Sequence, residues 1–451
     1  MPVTIVNDVV FYAGLLTSLL MLAAGGVFVL EKESRAAMRA FLLSVVFILL
    51  SAMIFYAGEG VVYLTIPLLF SGAALMFYLF IPGVFFSKEK PVEPSGRIDE
   101  RNTMFSRNEL LPGTERFEKY YKEFPEHEAK DDIFRSNPGL LGKKAAFYNP
   151  FAFAMSDAGF ETVAAFHPLV KGKPSDDVVP VNEEKLDAFV RAWLKKRGVV
   201  SVGVTEMKDY HRYSIGGRGD RYGKKYLPKK ESGIVFTVEM DGEMVACSPN
   251  APIVMESAQQ YLNAGTIATQ LSVFLRNLGF EARAHIDGNY EVVCPLVARD
   301  AGLGEIGRMG LLMTPELGPR VRIAVVTTNA PLKVDDRNYD PSVEDFCGKC
   351  LKCADACPAS AISKKDKEVI GGVKRWQIDQ EKCFTYWSYA GTDCGRCIGV
   401  CPYSHPDNLF HNTIRFMIRH FPNFRKSAVM LDDFFYGRRP KPHKMPEWMD
   451  I

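Results

Sequence analysis

The chain has almost no net charge and no arginine-rich run, and both absences restrict what it can bind. Lys and Arg total 55 against 53 Asp and Glu, which leaves a formal charge of +2 over 451 residues. A protein that binds nucleic acid through its phosphates needs a basic surface. No nucleic-acid partner is therefore predicted, and no overall attraction to an anionic membrane.

Cysteine is scarce outside one short region. Of the 10 cysteines, eight lie between Cys347 and Cys401, while Cys247 and Cys294 stand alone. A disulfide framework would spread its cysteines along the chain, so this clustering indicates metal binding in a reducing compartment. The two isolated cysteines are predicted to be buried free thiols, which is common for this residue type.

Charge is also missing from three long stretches at the N-terminus, residues 9–30, 40–58 and 61–87. Each approaches or exceeds the ~20 residues that cross a hydrocarbon core, so residues 1–90 are predicted to form three transmembrane helices. A buried hairpin of a soluble protein is the alternative. The start, MPVTIVND, has no Lys or Arg, and no twin-arginine motif is present, which disfavours a cleaved export signal.

The loops between these stretches differ in charge. The first carries three basic residues, the second has only Glu59, and Lys88 and Lys90 follow the third stretch. By the positive-inside rule the N-terminus lies outside and the chain after residue 87 is cytoplasmic. The prediction is a multi-pass protein of the cell membrane, in contact with lipid, whose catalytic domain faces the cytoplasm. Residues 91–182 are predicted to be a linker and the start of the catalytic unit.

Helical and strand patterns alternate in the next part of the chain. EEKLDAFVRAWLKKRG has the apolar spacing of an amphipathic helix that ends at Gly198, and SAQQYLNAGTIATQLSVFLRNLG indicates a long second helix. VVSVGVT, SGIVFTVEMDG and RIAVVTTNAPL are rich in β-branched residues and predict strands. An α/β (α+β) core is therefore predicted over residues 183–335.

Two motifs in this core invite a cofactor interpretation. AGLGEIGRMG contains a formal GxGxxG at Gly302, Gly304 and Gly307, but a turn and a strand follow it where a dinucleotide site needs a helix. A nicotinamide site, tight turns alone, and close approach to a different large cofactor remain open. DYHRYSIGG has Ser214 where a cobalt-ligating DxHxxG motif has glycine, so His211 is predicted to be an ordinary polar residue.

CGKCLKCADAC followed by proline matches the bacterial ferredoxin run, in which the fourth cysteine serves the other cluster. A second CxxCxxxCP set lacks one ligand, which Cys383 can supply. Zinc also uses CxxC pairs, but CxxCxxC with a closing CP favours two four-iron clusters in a ferredoxin-like domain over residues 336–451. The first predicted ligand set is Cys347, Cys350, Cys353 and Cys401, and the second is Cys357, Cys383, Cys394 and Cys397.

From about residue 199 to 402 the chain resembles the catalytic subunit of corrinoid-dependent reductive dehalogenases. The resemblance covers PLVARDAGLGEIGRMGLLMTPELGPRVRIAVVTTNAPL, FCGKCLKCADACPASAIS and CFTYWSYAGTDCGRCIGVCP, in the same order and spacing. It implies a base-off cobalamin buried beside one cluster, with no histidine of the protein on cobalt. The N-terminal segment is similar to the small membrane anchor protein that accompanies these enzymes, here fused to the catalytic chain.

The resemblance also implies site residues. It assigns to the cobalamin site the glycine block and two charged neighbours: Gly302, Gly304, Glu305, Gly307 and Arg308. It places an active-site tyrosine at Tyr261 and an arginine at Arg322, with a polar residue near the halogen at about Asp287. A phenol beside a guanidinium is expected to be more acidic than usual, which suits a proton donor.

The expected function is reductive cleavage of a carbon–halogen bond in a small organohalide. Electrons would come from a ferredoxin, a flavodoxin or a membrane quinol. One alternative is a reductase of a non-halogenated substrate, such as the epoxyqueuosine reductases, although those continue after AGLG with tryptophan and lysine where this chain has Glu305 and Arg308. The other is a membrane-tethered electron-transfer protein without a corrin.

Overall fold

The structure is a computed structural model, and it describes residues 3–56, 59–83, 92–337 and 339–449. The chain divides into two compact units. The first comprises Met1–Phe86 and Asp407–Pro440, and the second comprises Ser87–Pro406 and Lys441–Ile451. The predicted core and residues 336–406 of the predicted ferredoxin-like domain fall within the second unit, whereas residues 407–440 belong to the first.

Helices and strands alternate irregularly along the described chain. The α-helices are α1 Val3–Leu30, α2 Ser34–Tyr56, α3 Glu59–Leu79, α4 Met104–Asn108, α5 Glu115–Glu123, α6 Pro125–Arg135, α7 Pro150–Ala164, α8 Glu183–Lys196, α9 Gly242–Ala246, α10 Pro252–Asn277, α11 Cys294–Asp300, α12 Pro341–Cys350, α13 Lys352–Ala356, α14 Gln380–Ala390, α15 Arg396–Gly399, α16 Leu409–His420 and α17 Phe424–Phe435. The strands are β1 Ser201–Glu206, β2 Ser232–Glu239, β3 Ala282–His285, β4 Glu305–Ile306, β5 Leu312–Met313, β6 Val321–Thr328, β7 Glu368–Ile370 and β8 Val373–Arg375.

A four-stranded sheet forms the centre of the second unit. Its strand order is β1-β2-β6-β3, and every neighbouring pair is antiparallel. Strand β2 pairs on both of its edges, its residues 233–238 are buried, and only the terminal Glu239 is exposed. The three predicted strands and both predicted helices are present, as β1, β2, β6, α8 and α10. Because the sheet is antiparallel, the core is of the α+β kind.

The two faces of the sheet pack against different helices. Ile234 and Phe236 of β2 belong to the core with α8 and α10, whereas Val235 belongs to the core with α11. This alternation follows from the two-residue period of a strand. Helix α10 thus crosses one face of the sheet and presents other residues toward the cluster-bearing loops, which positions the candidate site.

In the first unit, α1 and α2 form a close pair through small residues. The hydroxyls of Ser18 and Ser44 lie 2.7 Å apart, and a Cβ on Gly14 would lie within 2.8 Å of two Ser51 side-chain atoms. Small residues at such an interface let two helices approach closely, as they do in lipid. Large apolar side chains are exposed along both helices.

Two of the three predicted spans are present among the described residues. Asn7–Leu30 and Ser34–Tyr56 are long and apolar enough to cross a membrane, with hydropathies of 2.1 and 2.3. The third stretch is helical as α3, but within it only Phe70–Leu79 is an apolar helix of described residues, and this is shorter than a span. Residues 57, 58 and 84–91 lie outside the described residues, so part of the third predicted span does too.

The glycine block forms a tight β-hairpin. Strands β4 and β5 pair through Glu305 with Met313, and Gly304 immediately before β4 has φ +153°. A Cβ on Gly304 would lie 2.1 Å from the carbonyl oxygen of Met313. The segment VCPLVARDA before the block is helix α11 and not a strand. The dinucleotide arrangement of strand, glycine loop and helix is therefore absent from this described segment.

We expect Gly304→Ala to lower the free energy of unfolding by about 2–4 kcal/mol, because the methyl group overlaps a backbone oxygen at a strained φ. Gly310→Ala is the matched control. Its φ is +78°, but no atom lies within 4 Å of the added Cβ, so about 1 kcal/mol is expected from the left-handed conformation alone. Thermal unfolding of the purified variants measures both, and equal losses would contradict the steric argument.

Candidate active site

Left-handed residues shape both cysteine loops. Helix α12 carries Cys347 and Cys350 and ends at Leu351 (φ +57°), after which α13 carries Cys353. The second loop has two consecutive left-handed residues, Cys394 (φ +59°) and Gly395 (φ +60°). These left-handed residues turn the backbone within each loop. Cys383 comes from a separate element, α14.

The thiols that influence one another's pKa fall mostly into the same two sets as the predicted ligands. Burial raises the pKa of Cys401 well above its usual range, and the nearby Cys347, Cys350 and Cys353 act in the same direction. Burial likewise raises the pKa of Cys394 to about 12, with Cys383 and Cys357 as neighbours. Cys397 is influenced by both Cys394 and Cys353, so it lies between the two groups.

In the described chain, no group of three or more His, Cys, Asp or Glu side chains is arranged to hold a single metal ion. The isolated Cys247 and Cys294 are buried free thiols, which confirms that prediction. The assignment of the other eight to clusters therefore depends on their spacing, their grouping and the comparisons below.

A cavity of about 540 Å³ lies beside the second group of thiols. Most of its wall is apolar, with Leu140, Phe160 and Trp387 among the lining residues. The wall also includes all four cysteines of the second predicted set: Cys357, Cys383, Cys394 and Cys397. A cavity of this size and polarity is typical of a site for a small molecule or cofactor.

The predicted Tyr261, Asp287 and Arg322 all line this cavity. Arg322 comes from β6, and its guanidinium carbon lies 4.8 Å from the centre of the Tyr261 ring on α10. Arg322 also donates through Nη2 to Asp393 Oδ2 at 2.9 Å and to the hydroxyl of Ser257. The structure therefore brings together three side chains that are far apart in sequence.

Two buried side-chain atoms of the cavity wall have no hydrogen-bond partner in the described structure. They are Nε of Arg322 and Oδ1 of Asp393. Leaving a buried donor or acceptor unpaired costs about 1–3 kcal/mol. A bound molecule with its own polar groups could satisfy both atoms. This wall is thus suited to a ligand that is largely apolar but carries some donors and acceptors.

The phenol of Tyr261 is less acidic than the sequence suggested. Burial raises its pKa above the usual 10, and this outweighs the opposing effect of Arg322. Asp287 and Asp393 also raise it. The expectation that the guanidinium makes this phenol unusually acidic is therefore corrected, since desolvation is the larger influence. The phenol holds its proton at neutral pH.

Asp287 is nearly enclosed, and its backbone carbonyl lies 2.8 Å from Nε2 of His167. Burial raises the pKa of its carboxyl, while Arg218 and Arg322 act in the opposite direction. The net effect favours the neutral acid more than in water. A neutral acid would not repel a departing anion.

The resemblance assigned five residues of the glycine block to the cofactor, and none of them lines the described cavity. Met309 and Leu311 of the same loop line it instead. Gly302 has φ +79°, and a Cβ on Gly307 would lie 2.8 Å from Met313 Cγ and 3.6 Å from Cys347 Sγ. In this structure the glycines allow close backbone packing beside the first group of thiols. Their contact with a cofactor stays a prediction.

The two charged residues of the block also lie outside the cavity wall. Arg308 is 2% exposed, donates from Nε to the carbonyl of Cys347 at 3.1 Å, and lies over the Trp376 ring at 4.4 Å. Glu305 pairs with Arg337 at 3.1 Å, and burial raises its pKa to about 7. Both lie beside helix α12, away from the cavity.

Sequence reasoning missed several cavity residues, among them Asp393, Arg218 and His167. Asp393 directly precedes Cys394 in TDCGRC, and an acid next to a cluster ligand was the one available signal. His211 does not line the cavity. Its Nε2 lies 2.9 Å from Asp300 Oδ2, which agrees with an ordinary polar role.

The family described as the 4Fe-4S dicluster domain matches residues 346–405. This range contains all eight clustered cysteines, so the cysteine region is a two-cluster iron–sulfur domain. Together with the adjoining cavity, it defines an iron–sulfur protein with a buried cofactor or substrate site.

The more particular likeness is to reductive dehalogenases. The chain is 36% identical over 218 residues to a tetrachloroethene reductive dehalogenase of Desulfitobacterium hafniense, covering 46% of this chain and 39% of that protein. It is 35% identical over 195 residues to the tetrachloroethene reductive dehalogenase of Sulfurospirillum multivorans, covering 42% and 38%. The aligned part thus covers about two fifths of the length of these curated relatives. This chain is therefore similar to reductive dehalogenases over slightly less than half of its length.

The fold agrees with this relationship. The structure of the catabolic reductive dehalogenase NpRdhA with 3-bromo-4-hydroxybenzoic acid matches with a TM-score of 0.61 at 23% identity, over 79% of this chain and 50% of that one. An epoxyqueuosine reductase of Bacillus anthracis is 34% identical, but over only 131 residues and 26% of this chain. The longer similarity is to the dehalogenases.

We expect Cys383→Ala to remove the second cluster selectively. Without this thiol the second group has three cysteines, and a four-iron cluster needs four ligands. The iron content of anaerobically purified protein should fall by about half, and the spectrum of one reduced cluster should disappear.

Cys247→Ala is the matched control, because Cys247 is a buried thiol outside both groups. Its iron content should equal that of the unmodified chain. Unchanged iron and unchanged paramagnetic spectra in Cys383→Ala would mean that another residue is the ligand.

Proposed function

We propose that this chain is a membrane-anchored reductive dehalogenase that cleaves carbon–halogen bonds with a cobalamin fed by its two clusters. Relatives at 36% identity are named tetrachloroethene reductive dehalogenases, and a structure with the same fold is described as B12-dependent. The observation that carries the proposal is the cavity whose wall joins the second group of thiols to Tyr261 and Arg322. Electrons and a proton can therefore reach the same enclosed space.

The residues of the cavity fit a cobalamin. The apolar wall suits the faces of a corrin ring, and the unpaired atoms of Arg322 and Asp393 suit its amide side chains. When bound, the cobalamin would supply a low-potential metal for reduction of the carbon–halogen bond. The glycine block is proposed to approach it only through Met309 and Leu311, the members of that loop in the wall.

The reaction consumes two electrons and one proton, breaks the carbon–halogen bond, forms a carbon–hydrogen bond and releases halide. In this proposal Tyr261 donates the proton from its hydroxyl to the substrate carbon. Arg322 lies over the ring and stabilises the phenolate that forms, and Asp393 holds Arg322 in place through the 2.9 Å hydrogen bond. The mostly apolar wall disfavours water at the reacting carbon, so a side chain is proposed as the proton source.

The electrons are proposed to enter one at a time at the first cluster and to leave from the second. Cys397 of the second group lies near Cys353 of the first, which supports a short path between them. The donor is proposed to be a reduced ferredoxin or flavodoxin, or a membrane quinol.

Anaerobic purification with corrinoid supplied, followed by metal analysis and a halide-release assay, tests the function. About one cobalt and about eight irons per chain, with halide release from chlorinated or brominated compounds, would support it. Iron without cobalt would support the alternative of an electron-transfer protein without a corrin. Both metals with turnover of an epoxide or hydroxyl substrate, but no halide release, would support the other reductases.

We expect Tyr261→Phe to keep cobalt and iron at the level of the unmodified enzyme while turnover falls by ~10²-fold or more. The variant removes only the hydroxyl, and this is the usual contribution of a positioned general acid. Steady-state halide release with a strong chemical reductant measures the loss.

Tyr290→Phe is the matched control. Tyr290 is also a deeply buried phenol near Tyr261 and Asp287, but it is not part of the described cavity wall. It should keep nearly full turnover. Near-normal turnover of Tyr261→Phe, with both metals present, would contradict the assignment and direct attention to Tyr290 or an ordered water.

The anchor is proposed to cross the membrane three times with the catalytic domain in the cytoplasm. Two membrane-length helices support the anchor, and the basic residues of the first loop and of positions 88–90 support the orientation. Lipid is then a structural partner of the N-terminal segment.

Reporter fusions at the C-terminus test this orientation. A cytoplasmic reporter such as a fluorescent protein should be active, and a periplasmic reporter such as alkaline phosphatase should be inactive, because the basic loops hold that side in the cytoplasm. A fusion after residue 58 is the control and should give the opposite result. Strong phosphatase activity at the C-terminus would overturn the orientation.

A further inference from the structure

The C-terminal helices α16 and α17 belong to the same compact unit as the N-terminal helices. They are separated from those helices by more than 320 residues of sequence. Three independent sets of contacts connect them to the ends of α1, α2 and α3.

The first contact is an aromatic cluster around Phe28, in the last turn of α1. Phe28 is 1% exposed, and its ring lies 5.5 Å from Phe410, 5.3 Å from Phe435 and 5.6 Å from Tyr436, measured between ring centres. The candidate span Asn7–Leu30 has 24 residues. At 1.5 Å per residue it is ~36 Å long, more than the ~30 Å hydrocarbon core, so Phe28 lies at a membrane boundary.

The second contact is polar and follows one turn later. Glu31 accepts a hydrogen bond from Asn408 Nδ2 at 2.8 Å, and its Oε1 and Oε2 lie 3.0 and 3.1 Å from Nε2 of His411. At the start of α2, Arg39 donates to the carbonyl of Phe434 and lies over its ring at 4.9 Å. The hairpin formed by α16 and α17 therefore contacts both sides of the α1–α2 turn.

The third contact is with the far end of α3. The ring of Phe80 lies 5.3 Å from Phe421 and stacks on Phe424 at 5.7 Å. The amide of Gly83 donates to the carbonyl of His420 at 3.1 Å. The end of α1, the start of α2 and the end of α3 share one side of the predicted membrane, and the hairpin contacts all of them on that side.

The outer surface of this hairpin is apolar. Phe416 is 57% exposed and Met430 is 64% exposed, with Leu409 and Leu431 also exposed. Residues 407–440 also contain six Lys or Arg against three Asp. Exposed large apolar residues among basic ones are typical of helices that lie in the interface of an anionic membrane.

We propose that α16 and α17 form an interfacial hairpin that lies in the headgroup layer of an anionic bilayer and inserts Phe416, Met430 and Leu431 among the lipids. We assign lipid to this surface because the exposed apolar residues of α16 and α17 adjoin the ends of the membrane-length helices, at the predicted membrane boundary. The inference depends on the membrane anchoring proposed above, but not on the reaction.

Site-specific photocrosslinking of the full chain tests the proposal. A benzophenone amino acid replaces Phe416 or Met430, and the chain is reconstituted in vesicles of phosphatidylcholine and phosphatidylglycerol. Lipid adducts at both positions are expected. The matched control is the same substitution at Phe189, which is 54% exposed in the second unit and should give at least tenfold fewer lipid adducts.

Three results would overturn the proposal. Crosslinks from position 430 to a second copy of the chain would make this surface a dimer interface. If the benzophenone reacts with neither lipid nor protein although the chain stays in the vesicles, the chain is anchored but the hairpin faces water. A chain absent from the vesicles would remove both this inference and the anchoring, and would leave the halide-release assay as a separate test of the reaction.

Discussion

One short loop has to serve two purposes, and the arrangement of the candidate site depends on it. Residues 392–398 contribute Cys394 and Cys397 to the second group of thiols and also form part of the cavity wall. Two successive left-handed residues and the hydrogen bond from the Thr392 hydroxyl to the carbonyl of Pro249, at 2.8 Å, fix the loop. Because Asp393 belongs to the same loop, the position of Arg322 is coupled to that of the cluster ligands.

Desolvation is the influence that decides the chemistry of this cavity. A guanidinium near a phenol would lower its pKa in water, but the apolar wall penalises the phenolate more strongly. The same wall favours the neutral form of Asp287. The cavity thus favours the protonated forms of both side chains, which suits the proton donation proposed for Tyr261.

The sequence was most informative where chemistry fixes the spacing. The cysteine pattern predicted a two-cluster domain, which the family match to residues 346–405 supports, and apolar periodicity predicted β1, β2, β6, α8 and α10, because both depend on local geometry. The sequence was least informative where an assignment depends on contacts over long distances. Asp393 could not be recognised as a cavity residue from the sequence, because its hydrogen-bond partner Arg322 lies 71 residues away. The GxGxxG pattern was misleading, since a hairpin and a nucleotide loop need glycine for the same steric reason.

The association of the C-terminal hairpin with the N-terminal helices also depends on contacts over long sequence distances, so it could not be predicted from the sequence. It involves a buried carboxylate that needs polar partners. Glu31 is largely buried directly after the candidate span Asn7–Leu30, and a buried carboxylate is costly unless it is paired. Asn408 and His411 supply polar partners from the other end of the chain, so the helices of this unit are more stable with the hairpin than without it.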